Sequence, residues 1–290
     1  MARANTIITR YRDEVGRSAT VTVDIGTDPA DDNYGPAQLV TDNPAKVAKI
    51  DDTSGRWKLA YGAKQPIRFV GGPLHSNIDG GLDVVIQGGN GGSPDVEFEV
   101  PITMPAPFSA GTTRMWPVQP WIDLATVTPT IGVYDPLGFE NWFLYVRGVN
   151  SQNLQVGGLK LYSQYYVFES DIREGYARSQ RKPIIEHRTA FEVSTIYTRG
   201  TTRWAAEGDL LTRSSQASDL EDHWFDVDGR ALPFCVVPNA LRNVVRFVRY
   251  DGIAFKETVE FHNQTEDDEL VGIRFAVEEV GRGLRPGGAI

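Results

Sequence analysis

Apolar and polar positions alternate along much of the chain with a period of two. Over residues 19–26, Ala19, Val21, Val23 and Ile25 take turns with Thr20, Thr22 and Asp24. Over residues 96–102, Val96, Phe98, Val100 and Ile102 take turns with Glu97, Glu99 and Pro101. Such alternation gives a strand one buried face and one wet face, the pattern of antiparallel sheets. Glu97 and Glu99 are accordingly expected on a wet face. The same reasoning predicts strands over 56–61, 67–70, 82–87, 141–147, 158–162 and 189–198. Turn chemistry separates them: Asp28-Pro29-Ala30-Asp31-Asp32-Asn33, Gly71-Gly72-Pro73, Gly88-Gly89-Asn90-Gly91-Gly92 and Asp135-Pro136-Leu137-Gly138. Strands at this spacing without interleaved helices predict an all-β protein built from β-sandwiches.

The C-terminal third carries a hairpin signal. Residues 242–250 and 253–262 flank Asp251-Gly252, a pair suited to a type I′ turn. That turn would set Tyr250 opposite Ile253, Val248 opposite Phe255, Arg246 opposite Glu257 and Val244 opposite Val259. A third strand with Val271, Ile273, Phe275 and Val277 on one face would complete a meander. Ser218-Asp219-Leu220-Glu221 has the form of a capping box and predicts one short helix over 218–225, ending at Asp228-Gly229. A buried strand is expected over 232–237. The division that follows is a β-sandwich over 1–166 and a second antiparallel β domain over 167–280, with a mobile or arm-like tail over 281–290.

Composition narrows the function. Gly 29 and Pro 17 in 290 residues exceed the usual combined share of roughly 12% and suit a turn-rich β protein. No stretch approaches the ~18 apolar residues of a membrane helix. Met1 to Arg12 holds no apolar core followed by a cleavage site, so no secretory leader is expected. Cys235 is the one cysteine, which excludes an intrachain disulfide. The net charge of −9 is spread over both halves, with no basic block for a phosphate backbone. Arg178, Arg181 and Lys182, the densest basic group, read as a solvated loop.

Sequence signatures of chemistry are absent. His75, His187, His223 and His262 include no pair at i, i+3 or i+4, and HExxH, CxxC, GxSxG and phosphate-loop motifs are missing. Asp28, Asp31 and Asp32 could ligate calcium, but their spacing is that of a turn. A carboxylate pair for glycoside hydrolysis would have to come from separate strands. No catalytic residue, cofactor or metal ligand is therefore expected. Trp116 and Trp121, in Met115-Trp116-Pro117-Val118-Gln119-Pro120-Trp121, lie where prolines keep the chain extended and unable to complete a ladder. They could plug a sandwich end, anchor a protein contact or stack on a sugar.

Several segments in order resemble a family of tailed-bacteriophage minor tail and baseplate-type virion proteins. They are Ile8-Thr9-Arg10-Tyr11-Arg12-Asp13, Tyr34-Gly35-Pro36-Ala37-Gln38-Leu39-Val40, the turn Pro73-Leu74-His75-Ser76-Asn77, Val84-Val85-Ile86-Gln87-Gly88, Trp142-Phe143-Leu144-Tyr145-Val146-Arg147 and Val156-Gly157-Gly158-Leu159-Lys160-Leu161-Tyr162. Arg178-Ser179-Gln180 and Pro233-Phe234-Cys235-Val236-Val237-Pro238 extend the likeness. The resemblance implies a galactose-binding-like (discoidin-type, carbohydrate-binding-like) jelly roll in the N-terminal half. It implies a non-enzymatic structural subunit of the virion tail, assembled in the host cytoplasm as a homo-oligomer with other tail proteins. The alternative is a carbohydrate-binding module for host-surface glycan. Trp116, Trp121, His75 and Asn77 are the expected interface or glycan contacts. Neither nucleic acid nor membrane insertion is expected.

Overall fold

The computed structural model describes residues 6–42, 46–73, 75–91, 95–103, 114–115, 121–168, 177–181, 184–188, 194–198, 203–228, 231–238, 245–251, 257–259 and 270–280. Within them the protein is built almost wholly from antiparallel strands, with one α-helix, Ser214–Asp226, and short 3-10 turns. The expected all-β class is the observed one.

A five-stranded sheet runs in the order Thr20–Ile25, Gly55–Gln65, Phe139–Arg147, Asp83–Gly89, Phe98–Pro101. Its alternate residues Trp57, Leu59, Ile86, Phe98, Trp142 and Leu144 form one side of the largest core. The register sets Trp57 opposite Leu144 and Leu144 opposite Ile86, so large side chains from three strands share one face. Gly88 lies opposite Trp142, and a Cβ there would fall 2.3 Å from the Phe139 ring. The Trp142 indole N–H donates to the Gln65 carbonyl at 2.9 Å, which satisfies the one polar atom of a buried ring.

The other side of this core comes from two small sheets. One pairs Trp121–Asp123 and Lys160–Tyr162 with the central Phe69–Gly71; the other runs Ala48–Ile50, Leu154–Gly157, His75–Ser76, Arg114–Met115. Ile50, Val70, Ile122, Leu154, Val156 and Leu161 face the five-stranded sheet. The N-terminal sandwich is thus a five-stranded sheet packed on smaller antiparallel sheets.

A third layer is an eight-stranded sheet. Its order is Tyr165–Phe168, Thr6–Thr9, Phe234–Val237, Arg246–Tyr250, Leu270–Glu279, Arg203–Arg213, Ala177–Arg181, with Glu257–Val259 also on Leu270–Glu279. Ile7, Cys235, Val237 and Phe247 pack against Phe69 and Tyr162 of the sandwich. Ile8, Phe234, Val236, Val248 and Tyr250 face the other way, onto Leu220 and Val227 of the helix segment. Leu220, His223 and Val227 are buried and Trp224 is half-buried, the i, i+3, i+4, i+7 stripe of a helix with one apolar face.

Several expectations are corrected. The helix begins at Ser214, so Ser218 lies inside it and does not cap it. Arg246–Tyr250 does not form the expected hairpin. Phe234–Val237 occupies one of its edges and Leu270–Glu279 the other, with Tyr250 opposite Val277. Asp251 N–H donates to the Ala276 carbonyl at 2.8 Å, extending that pairing as far as Asp251. Glu257–Val259 does pair with Leu270–Glu279, as a meander requires. Residues 252–256 lie outside the described residues. Ala177–Arg181, expected as a loop, is a strand paired with residues 203–207, so Arg178 and Arg181 sit on a sheet. Thr6–Thr9, on the N-terminal side of the expected division at 166, is hydrogen-bonded into the eight-stranded sheet. The expected tail over 281–290 lies outside the described residues.

Glu99 also departs from its expected wet face: it is 3% exposed. Arg147 makes a two-pronged contact with its carboxylate, and Gln87 Nε2 and Thr130 Oγ donate at 2.7 and 2.9 Å. Burial pushes this carboxyl up, but these donors outweigh it and hold the group below its ordinary range. A second buried group ties the first strand connection to the sandwich. Lys160 Nζ donates to Glu14 at 3.1 Å and to Asp42, and Arg17 reaches both carboxylates.

Two predictions come from these buried polar groups. His223 Nε2–H donates to the Thr9 carbonyl at 2.8 Å, so Nδ1 accepts from the Tyr250 hydroxyl at 2.9 Å. Burial lowers its pKa from 6.5 to about 4. The folded state therefore holds a neutral ring, and its contribution is complete above the unfolded value. As pH falls from about 6.5 to about 4, stability should drop by up to about 3 kcal/mol. Urea midpoints across that window should show the loss, and His223→Gln should flatten the slope. Glu99→Ala should cost about 2 kcal/mol and make the 127–131 segment the first site of limited proteolysis; cleavage elsewhere first would oppose the assignment.

Candidate functional site

Of the four residues singled out in the sequence, Trp116 lies outside the described residues. His75 pairs through its backbone with Gly157 and Met115 in the four-stranded sheet. Asn77 follows it in a loop. Its carboxamide nitrogen donates to the Asn153 carbonyl at 2.7 Å and its oxygen accepts from Gln155 N–H at 2.8 Å, so this side chain fastens two loops together. Asp31, one of the calcium alternatives, accepts from both nitrogens of Asn33 at 2.9 Å and closes a local turn. Among the described residues no group of three His, Cys, Asp or Glu side chains is placed to hold a metal ion.

Trp121 stands in a different setting. Although prolines precede it, it completes a ladder: Trp121 lies opposite Gly71 and Asp123 opposite Phe69. Period-two alternation then puts Trp121, Asp123 and Phe69 on the same face of the three-stranded sheet. The Trp121 ring stacks on Phe69 with centroids 5.7 Å apart and planes 17° apart. Gly71 makes this possible, because a Cβ there would lie 2.9 Å from the Phe69 ring.

Beside that stack sits a salt bridge that is half wet and half dry. Asp123 is 6% exposed, while the Arg68 side chain is 47% exposed. Arg68 Nε and Nη2 donate to the two Asp123 oxygens at 3.3 and 3.4 Å. Ala125 N–H donates to the same carboxylate at 3.0 Å, as does the Tyr165 hydroxyl. The guanidinium lies 4.8 Å from the centre of the Tyr165 ring, which holds it flat by cation–π attraction. Burial works to lower the Arg68 pKa, but Asp123 more than offsets it, so the group is held above its ordinary value. Burial, reinforced by Asp123, also raises Tyr165; burial raises Tyr134, which feels the same carboxylate. Both phenols stay protonated donors near neutral pH.

This arrangement is suited to recognition. The Asp123 oxygens already accept four hydrogen bonds, so the carboxylate is committed to holding its donors in place. The guanidinium is oriented and half open to solvent, with aromatic rings alongside it. A planar donor beside an apolar face suits a ligand carrying hydroxyls on one edge and C–H groups on its flat side. Arg68, Asp123 and Tyr165 were not singled out in the sequence, since 55 and 42 residues separate them from their partners. The local signals were a lone arginine opening the apolar run Ile67-Arg68-Phe69-Val70 and an aspartate two residues after Trp121.

No protein-family model and no curated protein matches the chain. Among solved structures, it is similar to a family 32 carbohydrate-binding module of C. perfringens NanJ in complex with galactose (8% identity, 53% of this chain and 98% of that one, TM-score 0.34). It is similar to an f-lectin (fucolectin) from striped bass, Morone saxatilis, serum (11% identity, 94% and 98%, TM-score 0.34). It is also similar to a GH29 fucosidase of Ruminococcus gnavus in complex with fucose (13% identity, TM-score 0.34), covering 53% of this chain. The chain spans 27% of the length of that fucosidase. These likenesses are distant.

The unequal exposure of the salt bridge predicts unequal costs. Asp123→Ala removes the acceptor of four donors and should lower stability by about 2 kcal/mol. Arg68→Ala should cost less than about 1 kcal/mol, as for other solvent-facing ion pairs. Urea unfolding of both variants checks the order; equal losses would contradict it.

Proposed function

We propose that this chain is a non-enzymatic glycan-binding protein whose galactose-binding-like sandwich takes sugar at Arg68, Asp123 and Trp121. One observation carries the reading: a half-exposed guanidinium is held by a buried carboxylate and lies over the Tyr165 ring. The guanidinium supplies donors to ring hydroxyls, and the partly buried Tyr165 and Trp121 rings supply apolar area. The site lies where the sandwich meets the eight-stranded sheet, and seams of this kind are favoured positions for small-ligand sites. Galactose and fucose, the sugars in the similar structures, are the first probes.

A second reading, a tailed-phage virion subunit at the tail tip or baseplate that assembles with copies of itself and other tail proteins, is favoured by a different observation. Val133 and Leu137 are 78% and 69% exposed on one segment. That segment is locked to neighbouring backbone at Gly132 and Gly138, where a Cβ would fall 1.9 Å from Glu97 O and 2.0 Å from Gln65 O. Fixed apolar side chains facing solvent suit contact with a neighbouring subunit. The two readings are compatible in one molecule.

Isothermal titration tests the first. Glycan binding requires saturable heat with galactose or fucose at a Kd of about 1 mM or tighter. Arg68→Ala should weaken that affinity at least about tenfold while the circular dichroism spectrum is unchanged. Absence of heat up to about 10 mM sugar, together with a self-associated particle in sedimentation, would favour the assembly reading instead.

A further inference from the structure

We propose that Tyr165 is a positioning residue of the sugar site, and that through it sugar binding is coupled to the seating of the eight-stranded sheet on the sandwich. The inference rests on the glycan-binding reading and adds a mode of regulation to it.

Arg68 and Asp123 both belong to the sandwich, yet the pair is completed from outside it. Tyr165 opens the edge strand Tyr165–Phe168 of the eight-stranded sheet, where it lies opposite Thr9. Its hydroxyl donates to Asp123, and its ring lies under Arg68 at 4.8 Å and against Phe69 at 5.8 Å. Tyr165 follows Tyr162, the last residue of a sandwich strand, by three positions. It is therefore the point where the chain passes from one body to the other. If the sheet lifts, the Thr9–Tyr165 pairing no longer fixes this residue. Asp123 then loses a donor, and Arg68 loses the ring beneath it. A sugar that needs Arg68 in place binds the seated form better than the lifted one. Reciprocity then requires the sugar to favour seating.

The same seam holds a native reporter. Cys235, the one cysteine of the chain, is 1% exposed in the cluster that joins Phe69 and Tyr162 to Val237 and Phe247. Its Sγ lies 3.7 Å from where a Cβ on Gly71 would stand. Thr9 pins the backbone of Cys235, accepting from its N–H at 2.9 Å and donating to its carbonyl at 3.3 Å. The thiol meets solvent when the sheet lifts.

The test is the rate at which Cys235 in the full chain reacts with an aromatic disulfide reagent, with and without galactose or fucose. At about ten times Kd, the sugar that binds by titration should slow labelling about tenfold. Tyr165→Phe should speed labelling without sugar about tenfold and weaken sugar affinity by a similar factor. A residue that only stabilised the fold would change the labelling rate and leave sugar affinity intact, and that result overturns the positioning role. Unchanged labelling at saturation overturns the coupling while sugar binding stands. No titration heat from either sugar removes the glycan reading and this inference with it. Should Tyr165→Phe fail to fold, the wild-type rates with and without sugar decide the coupling alone.

Discussion

The strand Phe69–Gly71 must satisfy two apolar interiors at once. Val70 points into the sandwich core, where it meets the five-stranded sheet. Phe69 points the other way, into the cluster shared with Ile7, Cys235 and Phe247. Both are buried to within 1% of full exclusion, and burying a phenylalanine of this kind contributes roughly 2–3 kcal/mol. The two halves of the molecule are therefore joined by the back of a core sheet, and a change in that sheet is felt on both sides. The Arg68–Asp123 pair sits at the margin of this junction, which explains why its members differ so much in exposure.

Charges reinforce the junction in an unusual place. Lys160 is completely buried at the start of the strand Lys160–Tyr162, opposite Gly71. It reaches Glu14 and Asp42, and its ammonium lies 4.7 Å from the centre of the Phe247 ring in the opposing sheet. Burial outweighs the Lys160 and Arg17 charges at Glu14 and holds its carboxyl above the ordinary range. Ion pairs of this type add little net stability when intact and cost much when broken. Their effect here is to fix which residues of the connection before Thr20 lie over the sandwich.

The two interiors also explain what the sequence shows and hides. The strands carrying Val21 and Val23, Trp57 and Leu59, and Phe98 and Val100 line one core and turn alternate residues away from it, so their period of two is plain. Thr6–Thr9 and Phe234–Val237 are buried at every position because the sheet is covered on both faces. Such segments lose alternation and give no face. Arg246–Tyr250 misled for a related reason: Asp251-Gly252 suits a tight turn, but both edges of the strand are already paired. Glu99 reads as wet until Arg147, 48 residues later, covers it. Trp121 could be singled out because prolines and aromatics are local signals. Its partners could not, since only the register of three strands brings them together.

The placement of Thr6–Thr9 has a consequence for how the molecule comes together. This strand lies between Tyr165–Phe168 and Phe234–Val237, so its partners leave the ribosome some 160 to 230 residues after it does. The sandwich, whose strands lie between Thr20 and Tyr162, can close before Phe234–Val237 is made, while Thr6–Thr9 waits with that edge unpaired. Long-range pairing of this sort is slow to form and leaves sticky backbone exposed in the meantime. The eight-stranded sheet thus zips up last around a strand made before its partners, and the window before it does so is when the nascent chain most needs protection from its neighbours.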